Sequence, residues 1–108
     1  LAAGFLAGKY TRDRDSFPKG SRFDVIPAHA DIYFNDRNFR NVERLRTKAQ
    51  TLNIPMVQLA MAWAMSHRAI TSTIVGARKN SHIDNALQAC GMYMDAELRE
   101  EMTGWLSD

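Results

Sequence analysis

The chain has 108 residues, 45% hydrophobic and 24% charged, a balance that suits a small globular unit and excludes wholesale disorder. Its longest strongly apolar stretch, Met56 to Met65, falls far short of the roughly 20 residues a membrane-crossing helix needs, so no membrane partner is expected. A net charge of +2 is too small to argue for nucleic acid, yet residues 1–48 hold ten Lys/Arg against six Asp/Glu, whereas residues 84–108 hold Arg99 alone against six acids. That split favours a local anion site over a general polyanion surface.

The opening "LAAGFLAGKY" is apolar but has no basic segment ahead of it, so it reads as interior protein sequence and not as a signal peptide. From Thr11 to about Asn35 no periodicity is sustained, and Pro18, Gly20 and Pro27 interrupt a run of charges and aromatics. A loop of this length is often a lid or a binding segment. From about Asp36, Phe39, Val42, Leu45, Ala49 and Leu52 recur at helical spacing, with Arg40, Glu43, Arg44 and Lys48 on the other side; this amphipathic helix should stop near Asn53. Pro55 suits the first turn of the next helix, "MVQLAMAWAMSH", which is apolar nearly all round and must be covered on most sides.

Thr71 to Val75 form a short β-branched run, expected to be the one clear strand. Ser81, with Asp84 three residues on, resembles a capping box, and Ile83, Ala86, Leu87 and Cys90 then make an apolar stripe. Asp95 is an N-cap candidate for a last helix that buries Leu98, Met102, Trp105 and Leu106. A single strand leaves its backbone groups without a ladder, and each buried unpaired group costs about 1–3 kcal/mol. The expectation is therefore one part of a larger α/β protein, mostly helical by itself.

Trp63 and Trp105 lie on apolar helix faces and read as core. His29 and His67 lack metal-ligand spacing with a cysteine or carboxylate, and the six methionines follow core positions, so no metal is expected. Lone Cys90 fits a reducing, cytoplasmic setting, and its place on the stripe predicts an inert core thiol.

Chemistry concentrates where the strand ends. Gly76 lets the backbone turn or approach a ligand, and the helix start that follows offers free N–H groups and a partial positive charge to a phosphate. Arg78 adds a planar fork and Lys79 a less directional charge, while His82 and Asn85 share a helix face that could line the ligand. A Gly-Ala-Arg-Lys turn is more often a solvated loop than a phosphate site. It also lacks the second and third glycines of the dinucleotide fingerprint of a doubly wound sheet.

Three segments together resemble the C-terminal third of the aldo-keto reductases, NADP-dependent (β/α)₈ TIM barrels. "LAAGFLAGKY" is similar to the stretch after barrel strand seven, "VQLAMAWAMSH" to the seventh helix, and "TSTIVGARKNSHIDNAL" to the eighth strand, cofactor loop and eighth helix. The resemblance implies that residues 1–108 are the C-terminal, cofactor-binding part of such a barrel. It implies that backbone at Leu1, Ala2, Gly4 and Leu6 approaches the pyrophosphate, that Gly76, Ala77 and Arg78 surround the adenosine 2′-phosphate, and that His82 and Asn85 lie nearer the ribose and adenine. "GSRF" at 20–23 resembles a cofactor-contacting stretch of a mobile loop, which adds Lys9 and Arg22. The family's catalytic Asp, Tyr, Lys and His lie on earlier strands, so no catalytic residue is implied here. NADPH and a small carbonyl substrate are the implied partners of the complete protein, with self-association through exposed barrel surfaces. Two other readings remain open at this point: an NADP-sensing regulatory module without turnover, and a helical interaction fragment that uses the basic face of residues 36–52.

Overall fold

Six α-helices supply the regular structure of residues 1–108, which a computed structural model describes throughout: α1 (Arg22–Val25), α2 (Ala30–Tyr33), α3 (Asp36–Leu52), α4 (Met56–Ser66), α5 (Asn80–Cys90) and α6 (Ala96–Gly104). The start of α3 is set by Asn35, whose side-chain oxygen accepts from the Asn38 N–H at 2.9 Å. Asn53 ends it in the left-handed conformation, donating back to the Ala49 and Gln50 carbonyls. Phe39, Val42, Leu45 and Ala49 are its buried stripe, as the spacing predicts, whereas Leu52 at its end is exposed.

Helix α4 lies at the centre because it has no polar face to give to water. Leu59 and Ala60 pack with Leu45 and Ala49 of α3 and Met102 of α6, whereas Met61 and Ala62 meet Ala86 and Ala89 of α5. Trp63 and Trp105 border the first of these clusters, and the Trp63 indole donates to the Thr103 hydroxyl at 3.1 Å. The Asp95 carboxylate caps α6 by accepting from the Leu98 N–H at 2.7 Å. Asp95→Ala should therefore lower stability by about 1 kcal/mol, read from urea melts, with the remaining helices unaffected.

The segment expected to be a long loop contains order that periodicity could not reveal. Helices α1 and α2, joined by a tight helical turn at Pro27–His29, are too short to show a repeat. Aromatic packing holds them: Phe5, Tyr10, Phe23 and Phe39 are buried, with Phe17, Tyr33 and Phe34 against them. The Tyr10 and Phe23 rings lie 4.3 Å apart, and Phe39 stands edge-on to both Phe5 and Phe34 at 5.1 Å.

The expected strand at 71–75 is absent. Thr71 to Ala77 form neither helix nor ladder, and none of their N–H or C=O groups hydrogen-bonds within the chain. The physical reason is the one that made a lone strand suspect, since a strand exists only through a neighbour. Ile74 is fully exposed, while Val75 packs against the α4–α5 cluster. Two further expectations fail on the same flank. Lys79, not Ser81, precedes the first turn of α5, and no side chain caps it. Small Ala86 and Ala89 bring α5 onto α4, which leaves Ile83, Leu87 and Cys90 exposed where a buried stripe with an inert thiol was predicted.

Surface area expresses the same feature. The chain exposes 7239 Å². A compact monomer of its mass would expose roughly 6,100 Å². Its radius of gyration, 14.0 Å, likewise exceeds the roughly 13 Å of a compact domain this long.

Candidate functional site

The segment before α5 delivers its chemistry at an exposed corner. Gly76 has open space where a side chain would stand, and Ala77, Arg78 and Lys79 are exposed. The Arg78 N–H donates to His82 Nδ1 at 3.1 Å, which closes the turn into α5 and fixes the imidazole beside it. From that turn the Arg78 guanidinium reaches the Gly20 carbonyl, with Nη1 and Nη2 donating at 3.4 and 3.3 Å. These are long bonds at an exposed site, so the fork is positioned but not consumed. No carboxylate pairs with it.

Gly20 owes its position to a tight local turn. Its N–H donates to an Asp24 carboxylate oxygen at 2.7 Å, and the buried Ser21 hydroxyl accepts from the Asp24 N–H at 3.4 Å. Phe23 anchors the turn in the aromatic cluster, so Arg22 starts α1 on a rigid base with its side chain exposed. Residues 58 positions apart thus meet through Arg78 and Gly20. The sequence signal for this partner was "GSRF", but its carbonyl, not a side chain, makes the contact.

At the N-terminal turn, the Gly4 and Leu6 N–H groups both donate to the Leu1 carbonyl at 3.1 and 3.2 Å, while no partner takes the Ala2 or Ala3 N–H. Gly4 has a φ of +86°, and a Cβ there would stand 2.9 Å from Lys9 Cε and 3.2 Å from Lys9 Nζ. Glycine therefore lets the Lys9 ammonium fold back over the turn, 5.5 Å from the Tyr10 ring centre. No hydrogen bond joins this turn to Gly76–Asn85.

Asn85 contacts α4. It is half-buried, and its side-chain oxygen accepts from Gln58 Nε2 of α4 at 3.1 Å, leaving Nδ2 as its uncommitted group. The structure therefore groups Gly76, Ala77, Arg78 and His82 with Gly20 at one corner, and Arg22 follows Gly20 by two positions at the start of α1. Lys9 and Gly4 form a second group.

A model of the aldo/keto reductase family matches residues 1–104. The chain belongs to the aldo/keto reductase family. Among curated relatives, it is 34% identical over 91 residues to a probable voltage-gated potassium channel subunit beta of Arabidopsis thaliana, covering 82% of this chain and 27% of that protein. It is 30% identical over 108 residues to the aldo-keto reductase pigE of Monascus ruber, covering 94% of this chain and 29% of that protein. It is 26% identical over 93 residues to the L-glyceraldehyde 3-phosphate reductase of Escherichia coli K12, covering 82% and 26%. The chain thus spans little more than a quarter of the length of these relatives. No solved structure gives a significant match. Family membership implies a (β/α)₈ barrel, to which these helices belong as a part. No helix of the structure is long and apolar enough to cross a membrane.

Proposed function

We propose that this chain is the C-terminal, cofactor-binding part of an NADPH-dependent cytoplasmic oxidoreductase that reduces aldehydes or ketones. The observation that carries the reading is the Arg78 fork, held at an exposed corner by Gly20 and free of any carboxylate, beside the uncapped start of α5. That arrangement fits a phosphate, because the first-turn N–H groups of a helix and a guanidinium both favour a dianion. Arg78 would hold the 2′-phosphate with Gly76 and Ala77 giving close backbone approach, and Arg22 would stand across the same corner. His82 and the free Nδ2 of Asn85 would face the ribose and adenine. Lys9 and the backbone at Leu1, Ala2, Gly4 and Leu6 would serve the pyrophosphate, with the free Ala2 N–H as the ready donor.

The hydride comes from the bound cofactor; the residues here bind and orient it. No catalytic residue is assigned to the chain, so the 108 residues alone should show no turnover. In the complete protein, NADPH should raise the melting temperature well above the effect of NADH at equal concentration, because a ligand at about 100 times its Kd adds about 2.7 kcal/mol to the folded state. Equal shifts for the two cofactors, or none for NADPH, would overturn the proposal.

A second reading, an NADP-binding regulatory subunit without turnover, is favoured by the 34% identity to the probable channel subunit. Both readings predict NADPH binding. NADPH oxidation by the complete protein with simple aldehydes separates them.

A further inference from the structure

Five of the ten cations in residues 1–48 line a cleft that the cofactor reading touches only at Lys9. The strap Gly8–Arg12 and the exposed flank of α3 border an open cleft of about 540 Å³, within the range of small-ligand sites. Lys9, Arg12, Arg40, Arg44 and Arg46 line it, with Glu43 as the only acid among its lining residues. These charges come from two separate elements, so they are more than the solvated face of one helix.

Arg46 and Glu43 form the wall. They pair with each other, and Arg46 Nη2 also donates to the Gly8 carbonyl at 3.1 Å, tying the strap to α3. Gly8 makes this approach possible: its φ is +73°, and a Cβ there would lie 3.0 Å from Met56 Sδ and 3.1 Å from Arg46 Nη2. Lys9 belongs to the turn proposed for the cofactor, so Arg12, Arg40 and Arg44 are the donors here. The Arg12 guanidinium stacks over Phe39 at 4.8 Å, which orients its fork. Arg40, one turn before Arg44 on α3, has no acidic partner.

Arg12 pairs with Asp36 and Arg44 with Asp108, and each of these carboxylates is more than half exposed. Exposed pairs of this kind contribute about 0–1 kcal/mol, so a phosphate can exchange with them at little cost. The same two carboxylates stand outside the cleft lining and would repel a long polyanion following the groove.

We propose that this cleft is a second anion site, which takes a small molecule carrying at least two phosphate groups, held by Arg12, Arg40 and Arg44. The proposal is independent of the nicotinamide reading. Its test is an amide-resolved NMR titration of the protein with inorganic pyrophosphate at low ionic strength, repeated with saturating NADP⁺ and in Arg78→Ala. Saturable shifts should centre on residues 8–12 and 39–44 and persist under both conditions. Arg40→Gln should weaken binding about tenfold, as expected for losing one charge-assisted contact, and Arg12→Gln likewise. Arg37→Gln, an exposed charge on α3 outside the cleft, should leave the affinity unchanged. Arg40 is exposed and unpaired, so its variant tests the site even if Arg12→Gln disturbs the fold.

Loss of the signal with NADP⁺ or in Arg78→Ala would place pyrophosphate at the cofactor corner and overturn the proposal. So would an absence of saturable shifts, an equal effect of Arg37→Gln, or tighter binding of an oligonucleotide than of pyrophosphate.

Discussion

Arg78→Ala in the complete protein should weaken NADPH by about 10- to 100-fold while leaving NADH within a factor of two, as expected for a charged hydrogen-bonding group worth about 1.5–3 kcal/mol. The asymmetry follows from what the fork can reach. A 2′-phosphate offers a dianion with several acceptor oxygens, whereas the 2′-hydroxyl of NADH offers one weak acceptor that no cation needs to neutralise. Structural damage is a small term, because Arg78 is exposed and its bonds to Gly20 are 3.3 and 3.4 Å long. Arg78→Lys should fall between, keeping the charge but losing the planar fork. Dissociation constants from cofactor fluorescence decide the matter. Equal losses for both cofactors would mean that the Arg78 side chain shapes the site through its bonds to the Gly20 carbonyl and does not meet the 2′-phosphate.

How much of this was legible in the sequence depended on whether a residue's partner lies nearby in the chain. Helix α3 was readable because Phe39, Val42, Leu45 and Ala49 repeat at their own spacing, and α6 because Asp95 caps it from one residue away. The geometry of the Arg78 corner was half-readable. Gly76 and Arg78 announced themselves, but the Gly20 carbonyl that holds Arg78 is 58 residues distant and contributes no side chain. Helices α1 and α2 were unreadable, since four residues cannot display a period and their order comes from Phe5, Tyr10 and Phe39 elsewhere. Cys90 and Leu87 were misread as core because a helical stripe says which residues share a face, not whether anything covers that face. The basic cleft needed two elements brought together. Only the excess of cations in residues 1–48 pointed towards it.

The same reasoning gives residues 71–77 their sharpest test, because one residue there faces nothing. Ile74 is completely exposed, while Thr73 and Val75 on either side are half-buried, with Val75 against Met61, Ala62, Ala86 and Ala89. Alternation of this kind is what a strand shows when one of its faces is covered. If this segment is the eighth strand of a barrel, Ile74 points into the barrel interior of the complete protein. Ile74→Asp should then cost the complete protein about 3–5 kcal/mol, the range for an unpaired charge placed in a core, or prevent folding. In the 108-residue chain the same change should stay within about 0.5 kcal/mol, since a surface substitution removes no contact. Val75→Asp should destabilise both, because its packing partners α4 and α5 are present in each. Denaturant melts of the four variant proteins separate these outcomes. A small effect of Ile74→Asp in both would show that Thr71 to Ala77 remain a surface segment in the complete protein, and the barrel-strand assignment would fall while the anion site proposed at Arg78 would be untouched.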